Sequence, residues 1–228
     1  VTLAVPSDPI HAVGEQLRAA ASAIELNTLL RLPLPLVLAS QSPRRQALLR
    51  HVGFTFDVVV PNIDEDAVST QMEPAEYVAH LATLKAQRGA ALVLRPSIVI
   101  GSDTTVVLDG MVLNKPTDAA DAVRMLTMLS GRTHTVYTGI ALLDSRTMYC
   151  ATAVRATLVT FRDLDAIEIQ SYVDSGSPLD KAGAYGIQDD FGAVFVSRVE
   201  GCYYTIVGLP LELLYTELRA FVAKDDHA

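Results

Sequence analysis

Residues 97–101 read Ser-Ile-Val-Ile-Gly, an almost unbroken apolar run of strand length. Such a run suits a strand buried on both faces, and burial on both faces calls for helices packed above and below the sheet. The chain around it supplies them. From Leu36 onward helical and extended patterns alternate: strand 36–39, helix 43–52, strand 54–60, acidic loop 61–72 and helix 73–94, the last opened by Pro74 with Tyr77, Leu81, Leu84 and Ala91 on its buried stripe. After 97–101 come two short strands, 104–108 and 111–113, around Asp109-Gly110, the strongest hairpin signal in the chain.

The second half continues the alternation. Thr117 caps a helix that stops at Ser130-Gly131, and 136–143 and 148–161 form two long antiparallel strands. Asp163 caps a helix ending at Ser175-Gly176, a glycine-bearing loop covers 177–190, 193–199 is a further strand, and Pro210 opens a last helix reaching Ala223. Parallel-type units mixed with hairpins predict an α/β fold with a mixed, curved sheet and flanking helices.

Composition narrows the function. Half of the 228 residues are hydrophobic and 19% are charged, which excludes wholesale disorder. No apolar run reaches the roughly 18 residues of a membrane span, so the chain reads as soluble, with no membrane partner. A formal charge of −8 argues against binding a nucleic acid polymer but leaves room for a small nucleotide in a locally basic pocket. Cys150 and Cys202 have no metal-type spacing and read as buried thiols in a reducing compartment, the cytoplasm. Residues 1–35 form an extension, with an amphipathic helix predicted over 11–32 and ended by Pro33 and Pro35; residues 36–223 form the main domain.

Polar residues stand where the apolar pattern predicts none. Ser40 and Ser42-Pro43-Arg44-Arg45 occupy a strand-to-helix turn, with Ser42 as N-cap and Pro43 as first helical residue. Two arginines in a first turn oppose the helix dipole by up to about 1 kcal/mol, which fits an anion bound there; solvated arginines are the other reading. Ser102-Asp103-Thr104 ends the buried strand, where open α/β sheets place their ligands, so Asp103 is paired, metal-bound or perturbed, or else caps a turn. Asp64-Glu65-Asp66, Lys85, Asn114-Lys115-Pro116, Lys181 and Gln188 complete the set, each also readable as ordinary surface. Together, two carboxylates, two lysines and two arginines suit Mg²⁺- or Mn²⁺-assisted attack on a polyphosphate. No P-loop, dinucleotide turn, zinc spacing or nucleophile elbow is present.

These segments carry a resemblance. Leu38-Ala39-Ser40-Gln41-Ser42-Pro43-Arg44-Arg45, Gly101-Ser102-Asp103-Thr104-Thr105-Val106, Asn114-Lys115-Pro116, Leu129-Ser130-Gly131, residues 134–138, the run Asp180-Lys181-Ala182-Gly183-Ala184-Tyr185-Gly186-Ile187-Gln188 and Val207-Gly208-Leu209-Pro210-Leu211 occur in the order seen in the Maf family of nucleoside triphosphate pyrophosphatases. The resemblance covers about residues 36–220. It implies an elongated mixed sheet with two lobes around a cleft, similar to inosine triphosphate pyrophosphatase, and a homodimer.

It also implies cleavage of a nucleoside triphosphate between the α and β phosphorus atoms with a divalent cofactor, Mg²⁺, Mn²⁺ or Co²⁺. Asp103 matches the family's proton acceptor and Glu65 its acidic partner at the metal; Lys85 and Lys115 join them in the catalytic set. Ser40, Arg45, Lys85 and Lys115 match phosphate-side positions, and Lys181 is a further candidate for substrate binding. Arg44, Thr104 and Gln188 match the specificity trio of the branch that prefers dTTP and UTP, with modified pyrimidine nucleotides as further substrates; a 7-methyl-GTP branch differs at all three. Thr205 stands where many members have Asn, and Gln41 where glycine is common. The competing expectation is a nucleotide-sensing regulator of septum formation with little catalysis, against which the intact Asp103, Glu65, Lys85 and Lys115 weigh.

Overall fold

The computed structural model describes residues 25–65, 67–68, 71–188 and 191–225. A mixed sheet of seven strands runs through it: β1 (Leu36–Ala39), β2 (Asp57–Val59), β3 (Ile98–Leu108), β4 (Met111–Leu113), β5 (Thr133–Asp144), β6 (Cys150–Phe161) and β7 (Val196–Glu200). Their order is β2-β1-β3-β5-β6-β7, with β4 also on β3. The β2, β1 and β3 strands are parallel, and all other pairs are antiparallel. The helices are α1 (Leu26–Leu29), α2 (Pro43–His51), α3 (Pro74–Ala90), α4 (Ala119–Leu129), α5 (Ala166–Asp174), α6 (Tyr203–Val207) and α7 (Leu211–Asp225).

The two short strands expected at 97–101 and 104–108 are one. Ser102, Asp103, Thr104 and Thr105 stay in the ladder opposite Ile140, Gly139, Thr138 and Tyr137 of β5, so their polar side chains do not interrupt the strand. Along its other edge β3 is paired in two separate stretches. The β1 strand accompanies it as far as Ala39, opposite Gly101, and β4 leaves it at Leu113, opposite Val106. Between them residues 102–105 have no strand partner on that edge among the described residues. Both neighbours leave the sheet at this gap, β1 from one side and β4 from the other.

Two core clusters fill out the fold. One joins α4 and α5 to the far ends of β3, β5 and β6 through Val106, Leu126, Leu129, Val136, Phe161 and Tyr172. The other joins α2 and α7 to β1, β3 and β5 through Leu38, Leu49, Ile100, Leu142, Leu214 and Leu218. Helix α3 lies on the opposite face, where small residues let it come very close. A Cβ on Gly101 would lie 2.0 Å from the Ala82 carbonyl and 2.7 Å from the Ala86 nitrogen; one on Gly139 would lie 2.5 Å from the Val78 carbonyl. Backbone, not flexible side chain, fills the space a larger residue would need.

Several boundaries differ from expectation for local reasons. Helix α3 stops at Ala90, because Ala91 and Leu94 are exposed and offer no buried stripe. The β2 strand keeps only three residues. Asp118, not Thr117, caps α4 by accepting from the Asp121 nitrogen at 2.8 Å, and Asp165, not Asp163, caps α5 in a reciprocal box with Glu168. A 3₁₀ turn over Gly192–Phe195 precedes β7, and α6 lies in the stretch between the expected strand and the last helix, where no element is predicted. Both cysteines are only partly buried.

Residues 11–24 of the expected N-terminal helix lie outside the described residues. In the rest, Glu25 is extended, α1 is four residues long, and Arg31 turns with φ of 51°. This segment is fastened to the body: Asn27 donates to the Thr55 carbonyl at 2.7 Å and accepts from its nitrogen at 2.9 Å, and Leu30 is buried in the α7 core.

Gly101→Ala tests the close approach of α3. The added methyl meets backbone, so a loss of about 1–3 kcal/mol is expected in denaturant unfolding. Gly110→Ala is the control: nothing lies within 4 Å of its Cβ, and only its φ of 79° opposes substitution. Gly101 has no left-handed backbone, so a loss there no greater than at Gly110 would show that the helix–sheet contact accommodates a methyl.

Candidate active site

The gap in β3 opens into a cavity of about 790 Å³. The turn after β1 forms one wall. Ser42 caps α2 by accepting from the Arg45 nitrogen, and the Ser40 hydroxyl accepts from the Ser42 nitrogen at 3.2 Å, so the first turn of α2 is held at the mouth. The exit of β4 forms the facing wall. There the Asn114 side chain accepts from the Thr105 hydroxyl and donates to Tyr77, and its carbonyl accepts from the Gly183 nitrogen. Asn114 thereby ties β3, α3 and the glycine-bearing loop together and sets where Lys115 emerges.

Asp103 lies on the floor, on the face of β3 that α3 covers. The Lys85 ammonium, carried by the turn of α3 seated on Gly101, donates to Asp103 Oδ1 at 2.6 Å and lies 2.7 Å from Glu65 Oε1. Lys115 approaches the other Glu65 oxygen at 3.5 Å. Lys85 and Asp103 are each only 7% exposed, whereas Glu65 is partly open to the cavity. Burial pushes the Asp103 carboxyl above the ordinary aspartate range, opposed by the positive charges of Lys85 and Arg45. Burial also acts to raise Glu65, but Lys85 and Lys115 outweigh it and hold that carboxyl below its usual value.

The two arginines do different things. Arg45 is half-buried and uses its guanidinium internally: Nε donates to the Gly208 carbonyl at 2.8 Å, Nη1 to Ser40 at 3.2 Å and Nη2 to Thr104 at 3.2 Å. Thr104 in turn shares a 2.9 Å hydrogen bond with Thr138, which donates to the Thr205 carbonyl. Gly208 can face Arg45 because it adopts φ of 112°. Arg44 instead reaches across the mouth to Asp180, 2.9 Å away.

At one end the wall turns apolar, with Val106, Val136, Tyr185, Ile206 and Val207. Tyr185 is fixed from behind by His134, whose Nε2 lies 2.8 Å from its hydroxyl. Burial pushes the imidazole down to about 4, so the ring is neutral near pH 7.

Ser40, Arg44, Arg45, Glu65, Lys85, Asp103, Thr104, Lys115, Lys181 and Gln188 all line this one cavity. Asp66 lies outside the described residues. Thr205 does not reach the cavity; its hydroxyl is buried without a partner. Gln41 donates to Asn62 and has no left-handed backbone, so this turn does not require glycine. Sequence reasoning missed Asp180 and Tyr77 as parts of the site and gave Asn114 no role within its candidate segment. Tyr77 looked like an ordinary stripe residue, and Asp180 stood beside Lys181 with nothing to set it apart.

Among the described residues five cations and four carboxylates face the cavity, a local excess of positive charge on an acidic chain. Glu65 and Asp103 converge on a single cationic centre, the Lys85 ammonium, and Asp103 Oδ2 takes no hydrogen bond from the described residues. No group of three or more His, Cys, Asp or Glu placed to hold a metal ion is found among the described residues. Two hard carboxylates suit a Mg²⁺-type ion that keeps water and substrate oxygens as its other ligands, rather than one caged wholly by protein.

The Maf-like protein family matches residues 35–221. This chain belongs to that family. Its Maf-like region is 53% identical over 192 residues to a dTTP/UTP pyrophosphatase of Salmonella typhimurium, covering 84% of this chain and 95% of that protein. A dTTP/UTP pyrophosphatase of Salinibacter ruber is 49% identical over 199 residues, covering 87% and 96%, and one of Vibrio vulnificus is 52% identical over 176 residues, covering 77% and 92%. Among solved structures, a HAM1 protein of Coxiella burnetii is 18% identical with a TM-score of 0.43, covering 81% of this Maf-like chain and 98% of its own. No helix among the described residues is long and apolar enough to cross a membrane.

Lys85→Met would leave Asp103 buried without its ammonium. Breaking a buried pair in this way costs about 3–5 kcal/mol. Because Asp103, already raised by burial, would then titrate still further above its unfolded value, the loss should be larger at pH 8 than at pH 5, where protonation relieves it. Unfolding in denaturant at the two pH values reads this, and an equal loss at both would mean that Lys85 contributes packing rather than charge.

Proposed function

We propose that this chain hydrolyses dTTP and UTP to the nucleoside monophosphate and pyrophosphate. One observation carries the reading: a buried carboxylate, Asp103, gripped by Lys85 at the floor of a cation-lined cavity. A protein that only bound nucleotides would have no need of a buried carboxylate beside a polyanion. The names of the relatives, dTTP/UTP pyrophosphatase, supply the substrate and the bond.

In this reading Lys85 fixes Oδ1 of Asp103 and leaves Oδ2 to take a proton from the attacking water. A carboxyl raised by burial is a stronger base than an exposed one, while Lys85 and Arg45 favour its ionised form. The first turn of α2, with Ser40, receives phosphate oxygens, Lys115 and Lys181 neutralise their charge, and Arg44 stands with Thr104 and Gln188 on the side that selects the base. Arg45 holds Ser40, Thr104 and Gly208 in place. The base lies toward the apolar end, where the Gln188 amide offers a donor and an acceptor to a pyrimidine edge. A divalent ion held by Glu65 and Asp103 would supply charge neutralisation at the phosphoryl oxygens. The family resemblance also supports a homodimer, with modified pyrimidine nucleotides as further substrates, and the two free thiols suit the reducing cytoplasm.

Asp103→Asn keeps the size and loses the base, so dTTP turnover should fall on the order of 10²–10⁴-fold with the fold retained. In the parent enzyme, kcat/KM should rise with pH through an apparent pKa above the ordinary aspartate value of 3.8. Activity should require Mg²⁺, Mn²⁺ or Co²⁺, and the products should be dTMP and pyrophosphate; dTDP with orthophosphate would overturn the assignment. Near-normal turnover in Asp103→Asn would place the base elsewhere.

Gln188→Ala removes the amide proposed to read the base. The loss of such a partner sets a drop in dTTP efficiency of about ten- to a hundredfold, with purine triphosphates changed much less. A parallel loss on all triphosphates would assign Gln188 to the phosphates instead.

A further inference from the structure

Arg44 emerges from the first turn of α2, where the positive end of the helix dipole disfavours a cation. Its partner is Asp180, 136 positions away in sequence, which also receives the Lys181 ammonium at 2.7 Å. Asp180 stands on firm ground. It ends the 3₁₀ turn Ser177–Asp180, and the loop that follows is anchored by the Gly183 nitrogen on the Asn114 carbonyl, by the fully buried Ala184, and by the Gly186 nitrogen on the Tyr172 hydroxyl. Gly183, at φ of 68°, packs so closely on Val106 that a Cβ would lie 2.8 Å from it. The wall holding Asp180 is thus fixed, and Arg44 is the long side chain that gains a position from the contact. The same loop leads to Gln188, whereas Arg45, the adjacent arginine, turns away to Gly208.

On the reading of the site given above, we propose that Asp180 is a specificity-positioning residue: it draws Arg44 to the loop carrying Gln188, so that base selection depends on a carboxylate that does not itself touch the base. The ion pair is partly exposed, 25% on Arg44 and 62% on Asp180, so its contribution to global stability is small. Its effect is on where a charged fork points.

The test compares kcat/KM for dTTP and dGTP in the parent enzyme, Asp180→Asn, Asp180→Glu, Arg44→Ala and the double variant Asp180→Asn with Arg44→Ala. Asp180→Asn should lower the dTTP preference roughly 5- to 20-fold, the range expected for a coupled pair, with KM for dTTP rising more than kcat falls. Asp180→Glu should restore most of the preference, and in the Arg44→Ala background Asp180→Asn should produce little further loss. An Asp180→Asn enzyme with unchanged preference overturns the proposal, as does a full additional loss in the double variant, which would route the effect through Lys181. A lower KM with the preference intact would make Asp180 a competitor of the substrate and also overturn it. If the parent enzyme hydrolyses neither nucleotide, it is the reading of the site that fails, and thermal melts of the same variants confirm that each is folded.

Discussion

Helix α3 lies on β3 and β5 at a distance only glycine permits, and the chemistry of the site depends on that distance. Gly101 and Gly139 offer bare backbone to Ala82, Ala86 and Val78. Lys85, carried by the same turn of the helix, reaches the carboxylate two residues beyond Gly101 as a consequence. A lysine side chain has four rotatable carbons and would otherwise keep its ammonium in water. Here the rigid seat of the helix decides the matter, and desolvation then raises the stakes of the pair. Burial that pushes Asp103 up is opposed only by nearby cations, so the state of the carboxyl is a balance of opposing effects that the helix position controls.

The second determinant is the interruption on one edge of β3. Two strands with different partners in sequence abandon the same stretch of backbone from opposite directions, so their exits converge on residues 102–105. That is the condition under which open α/β sheets form a ligand crevice. Arg45 closes the arrangement from beneath. By donating to Ser40, Thr104 and Gly208 at once, it joins the turn after β1, the floor strand and the end of α6 in one planar junction. A lysine at that position would lack the fork needed to do this.

Much of this was legible in the sequence, and the rest was hidden for identifiable reasons. The apolar run before Asp103 and the capped turn with two arginines announced a ligand crevice, because polar groups there conflict with the local pattern. Lys85 was different: at its spacing on an amphipathic helix nothing separates a solvated lysine from one turned inward, and only the resemblance to a family marked it. The continuity of β3 through Ser102–Thr105 was missed because four polar residues look like a break, although the ladder needs only their backbone. Thr117 and Asp163 precede the true caps, Asp118 and Asp165, by one or two residues, and the residues that cap are those whose carboxylates meet the nitrogen three positions on. Asp180 was invisible because an ion pair spanning 136 residues has no local signature.

The parts of the cavity hang from different supports. The carboxylate, its lysine and their neighbours belong to the sheet and α3, elements locked by backbone contact and intolerant of change. Gln188, Asp180 and the apolar wall near Tyr185 belong largely to a loop and the core beneath it. Loops vary more readily than the scaffold that carries them. Changes in that loop can therefore reshape one end of the cavity while the seat of Asp103 and Lys85 stays as it is.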